Sequence, residues 1–279
     1  MSSLKRTDVF GDLASSSRPS DGERVLWIHG YTMDSRIWDE LWSYLPNWHH
    51  VAIDLPGHGR SPPLAAGTDL SDLGRLVGRF AVEQDIQHVV GLSFGGMIAL
   101  QVTIEYPDAF ASLVLGAPAL GGGPQDRHAQ ARNLELMRMY STRSVGPWLR
   151  DLWMTSPPNI FAGASKHPEL WHRLRDIVGE HRWSELADSR MRALTGYCQS
   201  LNDLRRVTAA ALILIGDEDA EAFKRSAELI RRRIPTCRRV YLEQTGHLTL
   251  LERAATIHPL IDDHFRAASR RRSTFHSAA

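Results

Sequence analysis

The feature that most constrains the fold is a glycine-flanked serine that lies between a short apolar run and a helical pattern. Val89 and Val90 are β-branched and apolar, as in a buried strand. The pattern Gly-x-Ser-x-Gly occupies residues 91–95, and helical spacing then continues as far as Pro107. A strand, a sharp turn and a helix in this order are typical of a nucleophile elbow, where a strained backbone exposes a serine hydroxyl. The pattern therefore predicts that Ser93 is a nucleophile.

The same pattern also occurs in ordinary turns of small residues, so the rest of the chain has to show whether Ser93 lies in such a turn or in a nucleophile elbow. Gly91 and Gly95 stand two residues on either side of Ser93, where a Cβ would collide with backbone. A helix that starts at the serine directs its free N–H groups and its dipole towards negative charge at that point. Both features suit a serine that passes through an anionic intermediate.

The composition of the chain argues against nucleic-acid binding, membrane spanning and cysteine-based metal or disulfide sites. The chain has 279 residues, of which 43% are hydrophobic and 23% charged, as in soluble globular proteins. A formal net charge of +1 does not favour nucleic-acid binding through bulk charge. No apolar run has membrane-spanning length, and the first residues lack the apolar core of a signal peptide, so we expect a cytoplasmic protein without membrane contact. The two cysteines, Cys198 and Cys237, form neither a metal-binding spacing nor a disulfide framework.

Strand-like and helical patterns alternate along most of the chain. Apolar runs that predict strands lie at residues 25–29, 51–54, 88–92, 113–116, 211–216 and 239–242. This alternation predicts an α/β fold with a doubly wound, mostly parallel sheet. Right-handed crossovers place the carboxyl ends of such strands at one edge, where ligands bind.

The alternation breaks once, in a long helical segment. We expect a core built from residues 1–120 and 207–269, a helical insertion at 121–206 and a disordered tail at 270–279. Residues 1–22 are polar; they allow short edge strands but do not require them. We expect the arginines of the insertion to form a solvated face.

A serine nucleophile needs a base, and the base needs a carboxylate. His247 follows Gly246 directly after the last predicted strand, which brings it to the sheet edge that carries Ser93. Asp217 and Asp219 follow the strand that ends at residue 216. We predict Asp219 as the carboxylate and keep Asp217 as the alternative. The chain order is then Ser, Asp, His.

Two backbone donors are predicted to bind the oxyanion. The N–H of Phe94 follows the nucleophile, and the N–H of Tyr31 lies in the loop after the first firm strand. We interpret His29 and His58 as structural residues of neighbouring loops.

Taken together, the motifs resemble those of the α/β-hydrolase superfamily, in its compact group with a helical cap. The motifs that carry the resemblance are His-Gly-Tyr at residues 29–31 with Trp38, Asp-Leu-Pro-Gly-His-Gly-Arg-Ser at 54–61, Gly-Leu-Ser-Phe-Gly-Gly at 91–96, Gly-Asp-Glu-Asp at 216–219 and Gly-His at 246–247. In such relatives the fourth residue of the Gly-x-x-Asp motif is the triad acid, which favours Asp219. Most relatives continue with a proline-containing loop, whereas this chain enters a helix almost directly, so Asp217 remains open.

The resemblance implies a serine hydrolase of an ester or thioester, with residues 121–206 as a cap over the site. Trp148, Trp153 and Met154 are candidates for lining an acyl pocket, although each is also suited to packing the cap. No metal and no organic cofactor is implied. The substrate is a small acyl compound, and thioester cleavage would make an acyl-carrier protein a partner. Lactone hydrolysis and C–C hydrolysis use the same triad, and some members of this fold are small-molecule receptors.

Overall fold

The strands of the chain form one sheet. The computed structural model describes residues 5–10, 13–187 and 190–276. Its strands are β1 (Lys5–Phe10), β2 (Leu13–Arg18), β3 (Arg24–Ile28), β4 (His49–Asp54), β5 (Ile86–Leu92), β6 (Ser112–Gly116), β7 (Ala210–Gly216) and β8 (Cys237–Leu242). The spatial order is β1-β2-β4-β3-β5-β6-β7-β8. Strands β3 to β8 run parallel, and β1 and β2 form an antiparallel edge. The predicted α/β class and mostly parallel sheet are confirmed.

Helices cover both faces of this sheet. They are α1 (Asp39–Ser43), α2 (Leu70–Glu83), α3 (Phe94–Glu105), α4 (Arg127–Arg143), α5 (Pro147–Thr155), α6 (Pro168–Gly179), α7 (Arg190–Thr195), α8 (Glu221–Arg231), α9 (Thr249–Glu252) and α10 (Ala254–His276). Short 3₁₀ turns occur at Ser35–Trp38, Ala164–Lys166, Ser184–Leu186 and Asp203–Arg206. None of the helices in the described ranges is long and apolar enough to cross a bilayer.

The core consists of two apolar layers, one on each face of the sheet. One layer joins α2, α3, α7 and α8 to the strands, and the other joins α1, α9, α10 and the helices α4, α5 and α6 of the insertion. In the second layer the ring of Trp27, from β3, packs 5.2 Å from Trp38 and 6.3 Å from Trp42 between ring centroids. All three indoles are buried, and each removes roughly 150–250 Å² from water.

The helical insertion leaves the core and returns to it at one place. The described residues of the segment, 121–187 and 190–206, contain α4 to α7 and no strand. The Gly121 N–H donates to Gln199 Oε1 at 2.9 Å, and the Gln199 N–H donates to the Gly121 carbonyl at 3.0 Å. Gln199 Nε2 also donates to the Met97 carbonyl of α3 at 3.0 Å. We refer to residues 121–206 as the cap.

The N-terminal end forms the short strands that the sequence allowed, whereas the C-terminal end differs from the expectation. The polar N-terminal segment supplies β1 and β2, with β2 paired to β4. The predicted disordered tail at 270–279 needs a correction, because α10 continues through His276, while residues 277–279 lie outside the described part. The extension is held to the core at Arg272, whose Nη1 donates to the Ala109 carbonyl at 2.7 Å. Both ends are held by hydrogen bonds to backbone that is distant in sequence, and such bonds do not require a periodic pattern of apolar residues.

Candidate active site

Ser93 stands on a strained turn between β5 and α3. Its φ of 56° and ψ of −114° are rare for a side-chain-bearing residue, and its N–H donates to the Gly116 carbonyl at 2.8 Å. A Cβ on Gly95 would lie 2.3 Å from the carbonyl oxygens of both Ile28 and His29. Only glycine allows α3 to start this close to β3. The sequence thus forms the predicted elbow.

A continuous hydrogen-bond chain runs from Ser93 into the protein. The distance from Ser93 Oγ to His247 Nε2 is 2.7 Å, and His247 Nδ1 lies 2.9 and 3.1 Å from the two carboxylate oxygens of Asp219. A carboxylate only accepts, so Nδ1 carries the proton and Nε2 is free to accept from the serine hydroxyl. His247 and Asp219 are buried, whereas Ser93 is partly exposed. This is the arrangement in which a histidine can take a proton from a serine.

The structure distinguishes the two candidate carboxylates. Asp219 is buried against His247, and its Oδ1 also accepts the Ala220 N–H at 2.7 Å. Asp217 is exposed, and its Oδ1 accepts the Thr245 N–H at 3.2 Å. That backbone N–H lowers the pKa of Asp217 below its ordinary value. Asp219 therefore faces the histidine, and Asp217 stabilises the loop that leads to it. The direct entry into α8 does not displace the acid.

The loop that carries His247 is held by a buried carboxylate that the sequence reasoning missed. Glu252 Oε2 accepts the Gly246 N–H at 2.7 Å, and Oε1 accepts the Leu248 N–H at 2.9 Å. One carboxylate thus binds the backbone on both sides of His247. Burial raises the pKa of Glu252, and the two N–H donors act against that rise. Gly163 of the cap covers this carboxylate, since a Cβ there would lie 2.0 Å from Oε2.

The two predicted oxyanion donors lie on either side of the nucleophile. The Phe94 N–H is the first of α3, where no preceding helical turn supplies an acceptor. The loop that bears Tyr31 approaches closely, because a Cβ on Gly30 would lie 3.7 Å from Ser93 Cβ. The structure brings both residues to the site. Their role as donors remains a proposal.

His29 fixes that loop through both ring nitrogens. Its Nδ1 donates to the Gly30 carbonyl at 2.8 Å, and its Nε2 accepts the Leu55 N–H at 2.9 Å. The second bond requires a neutral ring, and burial lowers the pKa of His29 accordingly. The ring therefore links the loops that follow β3 and β4 through two hydrogen bonds.

A buried polar group joins the cap to the Tyr31 loop. The Tyr31 hydroxyl donates to Glu185 Oε1 at 2.5 Å, and His181 Nε2 donates to the same oxygen at 3.0 Å. Burial, with the negative charge of Glu185, raises the pKa of Tyr31 well above its usual value and keeps the hydroxyl a donor. Burial alone would raise the pKa of Glu185, but the bonds from His181 and Tyr31 hold it below the usual value. Sequence reasoning missed both cap residues.

The three cap candidates have different environments. Trp153 is buried, with its ring centroid 5.1 Å from that of Tyr31 in an edge-on arrangement. Met154 is buried in the apolar layer that includes the cap. Trp148 donates from Nε1 to the Ser144 carbonyl at 3.1 Å, at the junction of α4 and α5. Of the three candidates, Trp153 is the one that contacts Tyr31 of the candidate active site.

Arg132 departs from the expectation of a solvated arginine face. It is 5% exposed, and its Cζ lies 3.9 Å from the ring centroid of Trp153. Its Nη1 donates to the carbonyls of Ser156 at 3.3 Å and Pro157 at 3.1 Å. Burial lowers the pKa of Arg132 to about 10. This arginine ties α4 to the end of α5.

Comparison with known proteins gives a consistent result. The model of the alpha/beta hydrolase family matches residues 25–258. A pimeloyl-[acyl-carrier protein] methyl ester esterase of Neisseria meningitidis is 26% identical over 274 aligned positions, which cover 88% of this chain and 78% of that protein. The dihydrolipoyllysine-residue acetyltransferase component of the acetoin cleaving system of Cupriavidus necator is 40% identical over 117 residues, but these span 40% of this chain and only 31% of that protein. The structure of MenH from S. aureus superposes with a TM-score of 0.78 at 21% identity, covering 93% of this chain and all of the other.

Proposed function

The chain belongs to the alpha/beta hydrolase family, and from this we propose that it hydrolyses carboxylic esters through an acyl-enzyme on Ser93. The observation that carries the proposal is the hydrogen-bond chain from Ser93 Oγ through His247 to Asp219. The Neisseria relative, aligned over most of both chains, is an ester hydrolase by name, which supports an ester as the substrate.

In the first half of the reaction, Ser93 Oγ attacks the ester carbonyl carbon. His247 Nε2 accepts the hydroxyl proton as the C–O bond forms, and the carbonyl electron pair moves onto oxygen. The N–H groups of Tyr31 and Phe94 stabilise that oxyanion. Collapse of the tetrahedral intermediate expels the alcohol, which takes the proton from His247, and leaves the acyl group on Ser93.

In the second half, water replaces the serine hydroxyl in the same sequence. His247 removes a proton from water, the hydroxide attacks the acyl carbon, and the same two N–H groups stabilise the new oxyanion. Ser93 leaves with the proton from His247, and the carboxylic acid is released. Asp219 keeps the imidazole oriented and stabilises its charged form throughout.

Thioesters lie within the same proposal. A thiolate leaves a tetrahedral intermediate at least as readily as an alkoxide, and the residues need not change. The Neisseria relative is named for an acyl group on an acyl-carrier protein, so such a protein is the partner that we propose for the thioester case.

A rapid-quench experiment that detects the acyl-enzyme tests the proposal. Wild-type protein and the variant Ser93→Ala are mixed with an excess of short and long alkyl esters, aryl esters and thioesters, quenched in acid and analysed by intact mass. The proposal predicts an increase equal to the acyl group in the wild type and none in the variant. Turnover that persists in a folded Ser93→Ala variant contradicts the proposal.

A further inference from the structure

A cleft runs along the Phe94 side of the candidate active site. Its enclosed space is about 20 Å³, and the figure rises to about 420 Å³ when the solvent at its open mouth is counted. The walls are mostly apolar and include Leu55, Leu64, Leu73 and Leu194 beside Phe94. Phe94, which lines the cleft, directly follows Ser93 in the chain, and its N–H is one of the two proposed oxyanion donors. The enclosed space has room for about one water-sized group, such as a hydroxyl.

Two polar side chains interrupt these apolar walls. His58 comes from the loop after β4, and Glu185 comes from the cap. His58 is 3% exposed and Glu185 is 8% exposed. One nitrogen of His58, Nε2, and one oxygen of Glu185, Oε2, have no hydrogen-bond partner among the described residues. Buried polar atoms are rarely left unpaired in native proteins, so these two atoms indicate a ligand.

Both unpaired atoms are hydrogen-bond acceptors. His58 Nδ1 lies 3.1 Å from the Pro56 carbonyl, which can only accept, so Nδ1 carries the proton and Nε2 presents a lone pair. Burial lowers the pKa of His58 well below its usual value, which keeps the ring neutral. Glu185 already receives the Tyr31 hydroxyl and His181 Nε2 on Oε1, and its Oε2 is the remaining acceptor. The group that pairs with them has to be a donor.

From this accounting we propose that the cleft is a substrate subsite for a hydroxyl group, which donates to Glu185 Oε2 or His58 Nε2. The proposal rests on the ester hydrolysis proposed above and adds a substrate class, namely esters that carry a hydroxyl near the reacting carbonyl. The hydroxyl can belong to the acyl part or to the alcohol part of the ester. An ether oxygen at the same place has no proton to donate to either acceptor and is rejected.

The test compares three esters that differ only in that group. In the acyl arm they are methyl 3-hydroxyhexanoate, methyl 3-methoxyhexanoate and methyl hexanoate. In the alcohol arm they are the 3-hydroxypropyl, 3-methoxypropyl and propyl esters of hexanoate. A hydrogen bond to a charged acceptor predicts that wild-type kcat/KM favours the hydroxyl ester over both analogues by roughly 10- to 100-fold in at least one arm.

The variant Glu185→Gln tests whether the substrate hydroxyl donates to Glu185, because it replaces the acceptor Oε2 by a donor. Tyr31 and His181 both donate to Oε1, so the amide oxygen takes that position and the amide NH₂ takes the position of Oε2. An NH₂ group can donate to a hydroxyl or to an ether oxygen. The ratio of kcat/KM for hydroxyl over methoxy ester therefore falls by about tenfold in this variant. Glu180→Gln is the matched control, because Glu180 is exposed and pairs with Arg36.

The outcomes separate the two proposals. Equal wild-type kcat/KM for all three esters in both arms overturns the subsite, with the proposed function intact, and indicates that water alone fills the position. A hydroxyl preference that is the same in wild type, Glu185→Gln and a second variant, His58→Phe, also overturns it. If the wild type hydrolyses none of these six esters but forms an acyl-enzyme with other esters, the subsite alone is wrong. If it forms no acyl-enzyme with any ester, both the proposed function and the subsite are wrong.

Discussion

Replacement of Glu252 should uncouple the His247 loop from its support. In Glu252→Gln the amide oxygen still accepts one backbone N–H, but the other N–H faces an NH₂ group and stays unpaired. An unpaired buried donor costs ~1–3 kcal/mol, so we expect the free energy of unfolding to fall by that amount. In Glu252→Ala both the Gly246 and the Leu248 N–H lose their acceptor. The expected loss is then ~2–6 kcal/mol.

In Glu252→Gln we expect kcat to decrease by more than the loss of folded protein accounts for. A displacement of His247 by ~1 Å lowers the rate by about 100-fold, whereas the groups that bind substrate are unchanged. Glu252→Gln should therefore lower kcat for ester hydrolysis and leave KM near the wild-type value, at a temperature where the variant is fully folded. Urea unfolding and steady-state kinetics measure the two effects.

The control for this pair of measurements is Glu221→Gln. Glu221 is exposed and pairs with Lys224 at 3.0 Å on the surface of α8, where an ion pair contributes at most ~1 kcal/mol. If Glu252→Gln unfolds at the same urea concentration as wild type and retains the wild-type kcat, the proposed support of His247 is wrong.

Three further predictions concern the acid, the pH dependence of stability and the elbow. Asp219→Asn should lower kcat/KM by about 10⁴-fold, because the imidazole loses its orienting acceptor, whereas Asp217→Asn should change it by less than about threefold; steady-state kinetics decide. Burial lowers the pKa of His50 to about 3. Below about pH 6.5 the imidazole of His50 binds a proton in the unfolded chain but not in the folded one, so the free energy of unfolding decreases as the pH is lowered, by up to ~1.4 kcal/mol per pH unit. Urea unfolding at a series of pH values should show a weaker dependence of this free energy on pH in His50→Gln. Gly95→Ala places a Cβ 2.3 Å from two carbonyl oxygens and should destabilise by more than ~4 kcal/mol, whereas Gly67→Ala, at a φ of +81° with open space, should cost ~1–2 kcal/mol by thermal unfolding.

Sequence patterns predicted the parts of the fold that depend on local chemistry. The β-branched run before Ser93 and the glycines around it specify a strand, a turn and a helix within a dozen residues, and the structure has each of them. Alternation of strands and helices then fixes the parallel sheet, which places Ser93, Asp219 and His247 at one edge. The sequence favoured Asp219 but left Asp217 open, because both follow β7. The structure separates them by burial and by hydrogen-bond partner, since Asp219 contacts His247 and Asp217 accepts the Thr245 N–H.

The contacts made by the cap could not be predicted in this way. Glu185 meets Tyr31 across 154 positions of sequence, and no periodicity connects the two. Arg132 looks like any arginine of an exposed helix until α5 and Trp153 cover it. Glu252 offered one signal, since it is an acidic residue in the short helix directly after His247. A buried carboxylate so close to a candidate base requires donors, and backbone N–H groups of the same loop are the nearest ones.

The chain ends follow the same logic. Strand β1 is the edge strand of the sheet, and β2 lies between β1 and β4. Neither sequence shows the apolar alternation that predicts a strand. The last helix continues past residue 269 because Arg272 pairs with a carbonyl on the loop before β6, a contact between distant parts of the chain.

The most direct test of the central claim is covalent labelling with a fluorophosphonate, followed by intact mass. This reagent forms a stable adduct only with a serine whose proton is removed by a neighbouring base. The account predicts one adduct per wild-type chain and none on a folded Ser93→Ala variant. A folded wild-type protein that takes up no label, or a Ser93→Ala variant that takes up as much label as wild type, contradicts the assignment of Ser93 as the activated nucleophile.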